Sequence, residues 1–275
     1  MLSVNTNMNS LIAQNNLQSS QSRLNTSLQR LSTGLQINSA ADNPAGLVTS
    51  SLENAQISGL TQSIQNIQTG TALAQTADSS LSNINDLLVQ VRNLAANSAN
   101  SATQSASSLA ANQANATALL ASIDNIATTT KFGTVSLLDG TFTAAQFQTG
   151  AFSGQTASLT IANSDSTTLA VNAIDLTSGA GATAALTSID AAISTIASAR
   201  GDLGSFIAGT LTATQNNNQA QLTNLQEAKS ILTDTNYQTE IAKYTSENIR
   251  QQAASTVLGM ANQSNQSILS LLRGQ

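Results

Sequence analysis

The 275-residue chain has no cysteine and no histidine, and its single proline is Pro44. It therefore has no thiolate nucleophile, no imidazole to move protons near neutral pH, and none of the side chains that zinc, copper and iron favour. No cofactor, metal site or enzymatic activity is expected. Disulfides are also excluded, which suits a chain that must travel unfolded. Charged residues are only 8% of the chain, against roughly 25% in an average soluble protein. Nine Lys and Arg against fourteen Asp and Glu give a net charge of −5, and Lys131 is the only basic residue between Arg92 and Arg200. That distribution cannot neutralise a phosphate backbone, so nucleic acid is not an expected partner. Uninterrupted apolar runs reach about four residues, as at 118–121, far below the ~20 that span a bilayer. No membrane insertion is expected. The opening MLSVNTNMNS lacks the basic start and apolar stretch of a secretory signal, so any route out of the cell is a different one.

What the chain has instead is neutral polarity: Ser, Thr, Asn and Gln make up nearly half of it. Such a surface hydrogen-bonds without repelling copies of itself. The near absence of proline points to long helices, because an interior proline costs about 3 kcal/mol. Leu24, Leu28, Leu31 and Leu35, spaced four, three and four, draw one stripe along a helix. Val4, Met8 and Leu11 keep that rhythm upstream, before a shift at Leu17. Ala254, Val257, Ala261, Ser264, Ile268 and Leu271 repeat it near the other end. The two ends are expected to pair, and to become ordered on association. GLQINSAADNPAG at 34–46 breaks the helices. A long amphipathic helix follows from Ile57 to Ala95, with an interruption expected near Gly70, and a further helical pattern at Leu119, Ile123 and Ile126. After Lys131 the texture changes to glycines, aromatics and alternation such as Ala157, Leu159, Ile161, which reads as short hairpins. Helical spacing returns at Leu186, Ile189, Ile193 and Ile196. The fold class is mainly α, a long helical hairpin or coiled-coil bundle with a small β-hairpin region in the middle of the chain.

Three stretches carry a family resemblance. SLQRLSTGLQINSAADNPAGLVTSSLENAQISGLTQSIQNIQTG and its continuation through NLAANSAN resemble the amino-terminal half of bacterial flagellin; KFGTVSLLDG and FQTGAFSGQ resemble its hairpin region; TDTNYQTEIAKYTSENIRQQAASTVLGMANQSNQSILSLLRGQ resembles its carboxy terminus. The resemblance implies a secreted, extracellular subunit that polymerises with itself into the flagellar filament for swimming, after export through the flagellum's type III apparatus. It implies a terminal coiled-coil inner core of residues 1–40 with 235–275, and a helical outer-tube domain of residues 41–234 with hairpins at about 131–180. Val4, Leu11, Leu24, Leu28, Leu31, Leu35, Val257, Ile268 and Leu271 become the inner-core assembly positions. A flagellar export chaperone and the hook-filament junction and cap proteins become partners. With about 55 residues between Lys131 and Ala185, this is a short form without outer variable domains, and a thin, smooth filament is expected.

The family is also recognised by a Toll-like receptor through its outer-tube helix. Arg92 and Leu94 keep the recognised motif, but Gln90 stands where the motif has an arginine and Asn115 where it has a glutamate. Losing one charge from each side weakens a partly electrostatic interface, so weak or no receptor activation is expected. Two readings compete with the filament subunit: the hook-filament junction protein of the same family, and a secreted flagellin-like binding or adhesion module. The second needs a variable domain or an aromatic patch, and aromatics are 3% of this chain. Arg200-Gly201-Asp202 falls in a helical pattern rather than a protruding loop, and Asp124 and Asp139 read as capping groups rather than an acid-base pair.

Overall fold

The computed structural model describes residues 7–273, with side-chain surroundings for residues 7–263. Six helices and two two-stranded sheets follow one another among these residues. Helix α1 (Met8–Thr33) starts where Asn7 accepts the Ser10 amide at 3.1 Å and stops at Gly34, whose φ of 74° favours glycine. Helix α2 (Pro44–Ala99) puts the one proline at its first position, where its missing N–H is not needed, and Asn43 accepts the Gly46 amide at 2.9 Å. Its 56 residues extend about 84 Å. A 3₁₀ turn at Ser101–Thr103 leads to α3 (Ala106–Thr129), capped by Ser105.

The interruption expected near Gly70 is absent, and α2 runs through it unbroken. Gly70 is there for space: a Cβ on it would lie 3.1 Å from the Phe147 ring. Phe147 belongs to β3 (Ala145–Gln148), which pairs antiparallel with β4 (Thr156–Leu159); β1 (Lys131–Phe132) and β2 (Val135–Ser136) form the other hairpin. Strands end at Leu159, short of the expected 180, because 160–178 turns on aspartates that bind nearby amides. Helix α4 (Gly179–Ser205) continues through a π-helical segment, Phe206–Thr212, into α5 (Ala213–Thr233). Residues five apart lie about 140° apart on an α-helix. The wider π turn brings Phe206 and Leu211 inward together, and Phe206 meets Phe147 with ring centroids 6.0 Å apart. Helix α6 (Tyr237–Arg273) closes the chain. An 18-residue window within 179–233 reaches a mean hydropathy of 1.2, enough to cross a membrane by length and composition alone. Uninterrupted apolar runs stay short there, as 189–196 reads IDAAISTI, and it is the window average that is high. Its inner face, including Ala185, Ile189, Ala192 and Ile196, is buried in a protein core, while Asp190 and Arg200 form ion pairs.

Contacts divide the chain into unit 1, Met1–Ala55 with Asn224–Gln275, and unit 2, Gln56–Thr223. The divisions lie inside α2 and α5, both of which run on past the loops near 40 and 234. Unit 2 holds a large core built on Ile67, Leu81, Ile84, Leu88 and Val91 of α2, Ile123 of α3 and Ile189 and Ile196 of α4. Unit 1 buries three apolar side chains among its described residues, Ala13, Leu24 and Ile37. Ile84→Ala lowers the unfolding free energy of unit 2 by about 2–5 kcal/mol, because it opens a cavity. Ile231→Ala, on a side chain 79% exposed, changes monomer stability by less than ~0.5 kcal/mol. Urea unfolding of the monomer measures both.

Candidate assembly surface

In unit 1, α1 and α6 pair antiparallel: the Asn7 amide donates to the Ala261 carbonyl at 2.9 Å, Gln251 donates to Gln21, Arg23 meets Glu247 at 3.1 Å, and the Ser27 hydroxyl donates to Glu240. Seven-residue periodicity explains the pairing. On α1, Ser10, Leu17, Leu24 and Leu31 alternate with Ala13, Ser20, Ser27 and Gly34, and all eight are buried or half-buried. On α6, Glu240, Glu247, Ala254 and Ala261 recur every seven residues, alternating with Tyr244, Gln251 and Leu258. This is a heptad seam with a small residue at every second α1 position, so the backbones approach closely. The strand-like pairing of Leu35 with Asp234 closes one end, with Gln36 donating to Thr233 at 2.7 Å and Thr235 to Gly34 at 2.8 Å. A Cβ on Gly34 would lie 3.1 Å from the Tyr237 hydroxyl. The helices of the two ends thus pair within one chain, largely through polar contacts.

The leucine stripe of α1 divides. Leu24 and Leu31 enter the seam, while Leu28 (44% exposed) and Leu35 lie outside it, as do Leu11 and Val257. Val4 and the side chains of Ile268 and Leu271 lie outside the described residues. Sequence reading missed Leu47, Val48 and Leu52 at the start of α2, Ile231 of α5, and Tyr237, Ile241, Ile249 and Met260 of α6, all exposed. The available signal was a second set of large apolar residues at helix positions the seam does not need. Of seventeen exposed large hydrophobic side chains among the described residues, fourteen belong to unit 1, so the large apolar side chains left to solvent concentrate there. Charge is divided as sharply. Unit 1 has six Lys and Arg and six Asp and Glu; unit 2 has three and eight, and so carries the whole net charge of −5.

In unit 2, Gln90, Leu94 and Asn115 share a groove of about 440 Å³ between α2 and α3. Arg92 is not part of it: its guanidinium pairs with Asp190 of α4 at 2.6 Å, and each charge favours ionisation of the other. Arg200, of the Arg-Gly-Asp tripeptide, sits in α4 and pairs with Asp78 at 2.8 Å. Asp124 accepts from the Ser166 amide and hydroxyl at 2.7 and 2.9 Å, and Asp139 from the Thr141 amide and hydroxyl at 3.0 and 2.6 Å. Both tie loops.

Paired terminal helices with few buried apolar side chains among the described residues, many exposed large hydrophobics in the same unit, and a compact acidic unit are features of a structural subunit that assembles with other chains. The family model for the bacterial flagellin N-terminal helical region matches residues 4–143, and that for the C-terminal helical region matches residues 186–272. The chain is 34% identical to a flagellin of Halalkalibacterium halodurans, over 98% of this chain and 99% of that one. It is also 34% identical to a flagellin of Bacillus subtilis, over 98% and 99%. Among solved structures it resembles Bacillus cereus flagellin, with a TM-score of 0.51 and 28% identity over 56% of this chain and 88% of that one. The chain belongs to the bacterial flagellin family. It is a short form without a large variable domain, a structural subunit that is exported and polymerises into the extracellular flagellar filament for motility.

Several aspartates hold their protons unusually weakly. The Thr141 hydroxyl and amide lower the pKa of Asp139, those of Thr177 lower Asp175, and donors from Ser39 and Asn38, with Arg30 nearby, lower Asp42. For Asp165, burial opposes ionisation but donors from Thr168 and Asn163 outweigh it. A carboxyl with a lowered pKa in the folded state stabilises that state above its unfolded value and ceases to do so as pH falls through the folded one. The urea midpoint of the monomer is therefore expected to stay level from pH 7 to 5 and to fall below about pH 4. A midpoint that rises on acidification contradicts the assignment.

Proposed function

We propose that unit 1 forms the inner tube of the filament and unit 2 the outer tube, with the exposed apolar side chains of unit 1 as the contacts between copies. The observation that carries this reading is the concentration of exposed large hydrophobics in unit 1, which has three buried apolar side chains of its own. Covering eight such half-exposed side chains contributes about 1 kcal/mol each. The sum is of the same order as the ~4–15 kcal/mol lost on association, so each copy is held by several neighbours at once. Unlike, non-closing contacts of this kind grow an open helix. The acidic charge on unit 2 supports its outward position, because stacking −5 per copy in the interior of a tube is costly.

Leu11, Leu28, Leu35 and Val257 are contacts between copies, and Leu24 and Leu31 hold the α1/α6 seam. Before assembly the terminal segments pass unfolded through the export apparatus and are held by a chaperone; hook-filament junction and cap proteins meet the same surfaces at the two ends of the filament. The absence of a large insert supports a thin, smooth filament. For receptor recognition, neutral Gln90 and Asn115 on one groove, and an Arg92 already engaged by Asp190, support weak activation.

Leu28→Asp blocks elongation of sheared wild-type filament seeds and leaves the circular dichroism of the monomer unchanged, whereas Leu31→Asp both blocks elongation and loosens the coil. Electron microscopy scores elongation, and normal filaments from Leu28→Asp contradict the contact assignment. In a receptor reporter assay the wild-type monomer signals at least tenfold below a receptor-active flagellin; equal signalling refutes the weak-activation reading.

A further inference from the structure

The chain has three methionines, Met1, Met8 and Met260, and all fall within the sequence of unit 1; unit 2 has none. With no cysteine, histidine or tryptophan present, these thioethers are the side chains that a hydroperoxide oxidises first. Met1 lies outside the described residues, and the other two are each 57% exposed. They lie towards the same end of the α1/α6 coil. Asn7, beside Met8, donates to the carbonyl of Ala261, beside Met260, at 2.9 Å, and the Ser10 hydroxyl donates to Asn262 at 2.8 Å. Neither is an isolated apolar group. Met8, Leu11 and Ile12, spaced three and four, share one face of α1; Val257 and Met260, spaced three, share one face of α6; and all five are exposed. Neither methionine stands at a seam position, so a change at its sulfur leaves the α1/α6 pairing in place.

We infer that Met8 and Met260 are oxidation sites that gate assembly: a free chain carrying methionine sulfoxide at both positions joins the filament poorly, and reduction of the sulfoxides restores it. The thioether sulfur attacks one oxygen of the hydroperoxide; the S–O bond forms as the O–O bond breaks, and the other oxygen leaves as water or an alcohol. Sulfur is oxidised by two electrons and the peroxide is reduced by two. No charge is added, but a flexible apolar side chain becomes a polar one with a strong hydrogen-bond acceptor. Covering that oxygen against apolar side chains of a second copy removes its bond to water and supplies nothing in return. Once buried in the filament the same sulfurs are out of reach of the oxidant, so the sensitivity belongs to the free chain. The inference rests on the exposed apolar side chains of unit 1 being contacts between copies.

The test treats the free full chain with hydrogen peroxide, locates the oxidised positions by peptide mass spectrometry, and reads the critical concentration for seeded elongation beside the urea midpoint. Both sulfurs are expected to take up one oxygen, with the critical concentration raised about tenfold or more and the urea midpoint unchanged. Methionine sulfoxide reductase with a thiol reductant is expected to reverse the effect. The Met8→Leu/Met260→Leu double variant keeps apolar side chains and is expected to elongate normally before and after peroxide. Unchanged elongation by wild-type chain that carries both sulfoxides overturns the inference, as does a loss that only follows a lowered urea midpoint. An equal loss by the double variant overturns it too, because the sensitive group then lies elsewhere. Treating grown filaments separates this inference from the reading beneath it. Oxidation of Met8 and Met260 as fast in the filament as in the free chain removes this end of unit 1 as a contact surface, whereas protection there with normal elongation of the oxidised chain removes only the oxidation gate.

Discussion

The pairing of the first and last helices depends on side-chain size at every seventh position. Ala13, Ser20, Ser27 and Gly34 let α6 lie close against α1, and that closeness comes without a large core: among the described residues Leu24 is the one large apolar side chain of the seam that is buried. Hydrogen bonds and ion pairs hold the rest, and they are weak in water because each replaces a bond to solvent. The coil is therefore defined in geometry but modest in stability. Most of its large hydrophobic residues are left outside, and on the proposed reading another copy covers them, which ties stability of the coil to assembly.

Unit 2 follows a different rule. Its core is continuous from α2 through α3 and the hairpins to α4, and its glycines and π turn serve close packing, as where Gly70 admits Phe147 and where the π segment turns Phe206 and Leu211 inward together. It buries a large apolar core of its own, and it carries the negative charge. One chain thus joins an acidic part with a large apolar core to a neutral part with few buried apolar side chains among the described residues.

How much of this was legible in the sequence follows from what each feature depends on. Helix content, the break at 34–46, the hairpins after Lys131 and the family itself were readable because proline scarcity, glycine clusters and long motifs act locally. The partition of the leucine stripe was not readable. Leu24 and Leu28 look alike in a four-three spacing, and only the presence of Ser20 and Ser27 at seam positions moves the contact line so that Leu28 falls outside it. Gly70 looked like a helix interruption because its reason, the Phe147 ring, lies 77 residues further along the chain. The Arg92–Asp190 and Arg200–Asp78 pairs were hidden for the same reason, since nothing near either arginine in sequence names its partner.

The central claim is that the exposed apolar side chains of unit 1 become buried between copies. The chain has no cysteine, so single-cysteine variants report accessibility without background. Maleimide labelling of Leu28→Cys, Ile231→Cys and Val257→Cys, compared between monomer and grown filament, measures the claim directly. The account predicts rapid labelling of all three in the monomer and strong protection in the filament. Equal labelling in both states contradicts it.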